Sequence, residues 1–278
     1  MNYTLNLVDP DYGQSQFGRN NISILVNKDG YSFSIADPSQ KKILRLAEIN
    51  ISEENRQTQD SSAYEFFDLL NSGFSRKTVI FHPEAFTIIP NEFYNEKDKT
   101  EWLKFSNSVP EEREVFVTAL EGIEAKIVSS LPLTEFSKLS SLVPGAEFVP
   151  LISVLINCSR QLFSGKKNDH VLVHKSNEKS LIIVFRDEQL LLANTFETPN
   201  ADDLLYYLVY IIEQLGLILQ NDFLFLSGDL DEQAKARLAN FFSNEQIVDS
   251  FAGLIDESFI VPATVARYFP SIHSLLCE

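Results

Sequence analysis

Glycine is scarce in this chain, with 10 residues in 278, about half the roughly 7% that is usual. Few positions therefore remain for the tight glycine loops that bring backbone N–H groups up to a phosphate. Cysteine is scarcer still; Cys158 and Cys277 are the only two, which agrees with a reducing compartment and excludes a disulfide-built scaffold. Basic charge is also short, 23 Lys and Arg against 39 Asp and Glu, for a net charge of -16. No run or helical stripe of Lys and Arg gathers the positive charge on one face, so nucleic acid is not an expected partner. The longest apolar run, Leu204 to Ile212, has nine residues, against the roughly 20 that a membrane-spanning helix needs. The start, Met1 to Asn6, shows no basic region followed by an apolar stretch, and a cytoplasmic protein without a membrane span is the expectation.

What the sequence does have is a repeat. Ile22 to Asn27 and Tyr31 to Ala36 place apolar residues at every second position on either side of Asp29-Gly30, a strong hairpin signal. A third alternating run, Lys42 to Ile51, completes a meander, followed by a helix around Ser62 to Asn71 and a strand from Lys77 to His82. The same order returns later: strands His170 to Lys175, Leu181 to Asp187 and Leu190 to Phe196, a helix from Ala201 to Leu215, and a strand from Phe223 to Leu226. A helix over Asp231 to Phe242, a short strand near Ile247 to Phe251 and a helix from Pro262 to Leu276 finish the second copy.

Between the copies, a strand at Ala125 to Val128, a helix over Leu133 to Leu142, a strand at Ala146 to Val149 and a helix over Ile152 to Phe163 complete the first half. The Ser164-Gly165-Lys166-Lys167 stretch marks a junction. The expected organisation is an α/β chain with a first half over 1–165, carrying an insertion at about 83–120, and a second half over 168–278. The hydrophobic fraction of 44% is enough to fill two cores.

Two successive meanders, each followed by helix, strand and helix, resemble the duplicated ribonuclease H-like fold of the actin-like ATPase superfamily. A closer resemblance, to a Bacteroidetes family with an actin-like ATPase fold, lies in Phe81 to Pro90 with Phe93-Tyr94, in Leu192 to Phe196 with the tyrosine-rich helix after it, and in Leu226 to Asp231. A more distant likeness is to the actin-like proteins of pilus assembly, which act as docking platforms.

The superfamily implies nucleotide held by three short elements, two of them the first hairpin turns of each half, with an Asp-x-Gly pattern that serves phosphate and hydrated magnesium. Here the first turn offers Lys28, Asp29 and Gly30, with Asp and Gly adjacent as in an ordinary hairpin. The second turn, His174 to Ser180, has neither glycine nor aspartate, leaving Lys175 and Lys179 as phosphate contacts. The third element corresponds to Ser227, Gly228 and Asp229, with an acidic residue where a second glycine belongs. No cofactor is expected, and Mg-ATP is the alternative to be tested.

Other constellations read structurally. His170 and His174 lie about 13 Å apart along one strand at ~3.3 Å per residue and cannot share a metal ion; no metal site is expected. Asp202 and Asp203 follow Asn200 at a helix start, where caps and the helix dipole favour acids. Asp229 with Glu232 reads as a capping-box variant. No Gly-x-Ser-x-Gly elbow or activated cysteine points to nucleophilic catalysis, so no catalytic residue is assigned. Leu204 to Ile212 is apolar nearly all round and reads as a core helix. Trp102 and Phe105, at helical spacing in the insertion, serve either as a docking surface or as its anchor.

The expectation is a non-catalytic actin-like interaction or scaffold module with a protein partner or self-association, using the cleft between the halves and the insertion as surfaces. The alternatives are an ATP-binding switch or weak ATPase with atypical phosphate loops, and a small-molecule enzyme of unrecognised type.

Overall fold

The computed structural model describes residues 2–50, 61–106, 112–221, 223–244, 246–248 and 262–276. By compactness the chain forms two units, Met1–Val154 with Pro270–Glu278, and Leu155–Phe269.

The first unit is built on strands β1 (Asn2–Val8), β2 (Asn21–Asn27), β3 (Gly30–Asp37), β4 (Lys42–Asn50), β5 (Arg76–Phe81) and, later in the chain, β9 (Glu147–Pro150). They form one sheet in the order β1-β4-β3-β2-β5-β9. The meander is antiparallel, and β5 and β9 join parallel to their neighbours. The period-two alternation divides its faces. Ile22, Ile24, Phe33 and Ile35 point to helix α1 (Ser61–Asn71), where Phe66 lies 5.6 Å from both the Tyr31 and Phe33 rings. On the other face, the cross-strand pair Ser23 and Ser34 meets helix α8 (Phe269–Leu276). Ser274 donates to Ser23 at 2.8 Å, and Ser34 donates to Ser271 at 3.2 Å. Serines in mid-strand thus carry a helix close to the sheet while leaving no hydroxyl of that pair orphaned.

A second layer of this unit is the three-stranded antiparallel sheet β6-β8-β7, made of β6 (Ala85–Pro90), β7 (Arg113–Ala119) and β8 (Ala125–Pro132). The sequence reading had Ala125 to Val128 as a strand completing the first half and the insertion ending near 120, whereas this strand pairs with β6 and β7. The strand runs on to Pro132 and pairs with both neighbours inside the insertion. Phe116 turns inward against Phe81 and Phe148, at 4.9 and 6.0 Å, while Ala85, Ile89 and Val128 turn to helix α2 (Lys99–Ser106). Helix α3 (Leu133–Leu142) then leads to β9, and helix α4 (Leu151–Leu162) follows.

The second unit repeats the plan: β10 (Asp169–Ser176), β11 (Lys179–Arg186), β12 (Gln189–Glu197), helix α5 (Ala201–Leu215), β13 (Leu224–Gly228), helix α6 (Glu232–Ala239), β14 (Ile247–Val248) and helix α7 (Pro262–Arg267). Its sheet order, β12-β11-β10-β13-β14, is that of β4-β3-β2-β5-β9. The remainder of the strand read over Ile247 to Phe251 lies outside the described residues. The last helix of the sequence reading is two, α7 and α8, separated by a turn at Tyr268. The division between the units falls inside α4, because Phe163 at its end stacks on His170 at 4.6 Å and meets Phe225 at 4.9 Å. The Ser164 to Lys167 stretch follows directly after it.

His273 of α8 is buried, and burial pulls its pKa down to about 4. The unfolded chain, titrating near 6.5, binds the proton first, so stability is complete above pH 6.5 and falls as pH drops toward 4. Urea unfolding at pH 7 and pH 4.5 should show His273→Leu losing on the order of 3 kcal/mol less than the parent chain over that window. Equal losses in both would mean that His273 titrates alike in the folded and unfolded chains, against the burial shift.

Candidate functional site

The first hairpin pairs Asn27 with Gly30 across a two-residue turn of Lys28 and Asp29, both exposed. Gly30 is therefore the first residue of β3 and outside the turn, unlike the sequence reading. The reason lies in β4: a Cβ at Gly30 would sit 1.9 Å from the Ile49 carbonyl oxygen. The glycine serves strand packing.

In the second unit, Lys175, Ser227, Gly228 and Asp229 come together where β10 and β13 run parallel, with His174 opposite Ser227 and Lys175 opposite Gly228. Gly228 has φ +82, and a Cβ there would lie 2.0 Å from the Lys175 carbonyl oxygen. That carbonyl accepts the Asp229 N–H at 2.8 Å. Ser227 Oγ lies 2.9 Å from His174 Nδ1. Asp229 pairs with Arg267 at 2.8 Å, and the cap of α6 is Asp231, whose carboxylate accepts the Ala234 N–H at 2.6 Å. The capping-box assignment to Asp229 is corrected accordingly: the helix begins two residues later than an Asp229–Glu232 box implies.

Lys175 is buried. Its ammonium donates to the Thr198 carbonyl oxygen and, at 3.0 Å, to Thr198 Oγ1, which in turn lies 2.7 Å from Ser180 Oγ. Burial lowers its pKa, against the opposing field of Asp231, Glu178, Asp203 and Glu197. The turn beyond it is Asn177 and Glu178, with Asn177 at φ 52, and the Glu178 carbonyl accepts the Thr198 N–H. Lys179 is exposed and pairs with Glu197 at 3.1 Å. Thr198 is the partner that sequence reasoning missed, since nothing in a separation of 23 residues ties it to Lys175.

Helix α5 is capped by Asn200, whose side-chain oxygen accepts the Asp203 N–H at 2.9 Å. Asp202 pairs with Arg237 at 2.6 Å. The helix buries Leu204, Leu208 and Ile211, but Tyr206 and Tyr210 are 63% and 50% exposed, which corrects the reading of a helix enclosed on most sides. These two rings border a shallow groove of about 350 Å³. In the insertion, Trp102 packs against the cluster of Ala85, Ile89, Leu103 and Val128, whereas Phe105 is 90% exposed.

Two sheets of one order in one chain, each a meander extended by parallel strands, define the duplicated ribonuclease H-like architecture of the actin-like ATPase fold. Within that class, the chain belongs to the family described as protein of unknown function (DUF3822), whose model matches residues 10–244. It is similar to a Bacteroides thetaiotaomicron VPI-5482 protein with actin-like ATPase fold and unknown function. The TM-score is 0.72 at 23% identity, over 85% of this chain and 92% of that one. It is similar also to a chain of the PilM-PilN type IV pilus biogenesis complex, with TM-score 0.55 at 12% identity, over 92% of this chain and 97% of that one. No curated protein matches the chain in sequence. Among the described residues, no helix is long and apolar enough to cross a membrane.

If Gly228 exists for the approach of β13 to β10, then Gly228→Ala must displace the strand. Denaturant unfolding should show a loss of ~2–4 kcal/mol from overpacking and positive φ together; a loss below about 0.5 kcal/mol would refute the packing role.

Proposed function

We propose that the chain is a non-catalytic actin-like module that works by docking a protein partner. The observation that carries this reading is the Lys175 environment. The one buried cation at the second-half turn is spent on Thr198 and stands among Asp231, Glu178, Asp203 and Glu197. A polyphosphate brought there would meet four carboxylates against the two ammonium groups of Lys175 and Lys179, and Lys179 is already paired with Glu197.

The residues at the three loop positions fit Mg-ATP poorly for a second reason. The space that a glycine opens to a phosphate is, at Gly30 and Gly228, filled by a neighbouring strand's carbonyl. The Asp229 and Thr198 N–H groups are already bonded within the fold. The likeness to a chain of a pilus-assembly complex supports docking as a use of this architecture. Of the two insertion rings, Phe105 is the one a partner would reach, since Trp102 belongs to the local core.

Thermal unfolding with and without millimolar Mg-ATP or Mg-ADP tests the reading. A ligand at ~100 times its dissociation constant adds about 2.7 kcal/mol, a rise of several degrees at about 2–4 °C per kcal/mol. No shift is expected. A rise with either nucleotide, lost in Lys175→Met, would replace the docking module with an ATP-binding switch.

A further inference from the structure

We propose that the free edge of β12 is a docking site for an extended segment of a partner protein, apolar and β-branched in its middle and carrying Lys or Arg at both ends. This rests on the interaction-module reading and names its surface. Among the described residues, β12 is the outermost strand of its sheet and pairs with β11 alone. Sheet edges normally carry a guard: short length, proline, charge or a bulge. Of the edges of the first unit's main sheet, β9 has four residues and ends in Pro150, and β1 has seven residues. Strand β12 has nine residues, with no proline and no charge from Leu190 to Phe196. Its irregularity sits near Leu191, and Leu192 to Glu197 pair continuously with Val184 back to Lys179.

The open backbone groups can be located. Thr195 gives its N–H to the side chain of its own neighbour, Asn194, at 2.9 Å, and so does not spend it on β11. Alternate residues of an antiparallel strand aim their backbone groups to the same side, which places Ala193 and Glu197 with Thr195 on the free edge. An added strand would take these groups in the usual ladder.

Charge decides the occupant. The uncharged stretch is bracketed by exposed Asp187 and Glu188 at one end, and by Glu178 and Glu197 against the single Lys179 at the other. Glu188 accepts the Gly165 N–H at 2.5 Å. A second copy, paired antiparallel about Ala193, would set Glu197 opposite Gln189 and next to Glu188, between chains of net charge -16 each. Like charges facing across strands are destabilising. A segment with basic ends places opposite charges at both brackets.

The probe is a fluorescein-labelled peptide, Lys-Lys-Val-Thr-Val-Thr-Val-Lys-Lys, compared with the same core flanked by Glu, in anisotropy titrations against the full chain. The basic-flanked peptide is expected to bind at least about tenfold more tightly than the acidic one, and to slow amide exchange at Ala193 and Thr195. Thr195→Pro, which removes an N–H that β11 does not use, and Thr195→Lys, an edge charge, should each abolish binding with the melting temperature kept. Binding that survives both variants, equal binding of the two peptides, no binding at all, or a dimer in sedimentation that Thr195→Pro splits would overturn the proposal. Absence of peptide binding together with absence of a Mg-ATP shift would remove this edge and leave the docking module; peptide binding together with a Mg-ATP shift would do the reverse.

Discussion

The second unit is organised by the approach of β13 to β10 at Gly228. A parallel neighbour must run close enough to share a ladder, and at this point the Lys175 carbonyl stands 2.0 Å from where a Cβ would be. Only glycine satisfies both the φ of +82 and that distance. Because the strands close there, the Asp229 N–H bonds back to Lys175, the chain turns, and Asp231 is delivered in position to cap α6. The Lys175 side chain, carried into the interior by the same strand, must find acceptors, since an ammonium buried without them would cost several kcal/mol. Thr198 supplies two and in doing so ties the end of β12 to the central strand.

The first unit repeats the sheet but closes it differently. An additional strand, β1, flanks the meander and is held by Arg45, which is 4% exposed. Its guanidinium pairs with Glu65 at 2.9 Å, donates to Asn6 at 3.0 Å, and lies within 6 Å of the Tyr3, Tyr12 and Phe33 rings. A planar cation can satisfy acceptors in its plane and rings above it at once, as a lysine cannot. Gly30 here plays the part that Gly228 plays in the second unit: it admits a neighbouring backbone.

Much of this architecture was legible in residue patterns. Alternation located the first meander and the recurrence of its element order the second, and α3 and α5 end where apolar spacing and turn residues end them. Ambiguity entered where a local signal had two uses. Asp29-Gly30 has hairpin composition, but the glycine was needed by β4, a strand distant in sequence. Asp229 and Asp231 are equivalent as caps until Arg267 claims the first. The insertion was read through Trp102 and its helix, so the short apolar run Val115 to Val117 went unused, and β8 was not joined to the insertion. The Lys175 partner was illegible in principle, since a hydrogen bond between strand residues far apart leaves no periodic trace.

The glycine shortage and the acidic surplus can be joined by one argument. A phosphate loop requires backbone N–H groups left unpaired in the free protein, held in a conformation that glycine permits. Here the Thr198 and Asp229 N–H groups are bonded within the fold, and Gly30 and Gly228 each stand where a neighbouring strand's carbonyl leaves no room for a Cβ. The carboxylates of Asp231, Glu178, Asp203 and Glu197 favour the charged form of Lys175 against its burial. The two cores depend on the apolar faces of strands and helices and not on these loops.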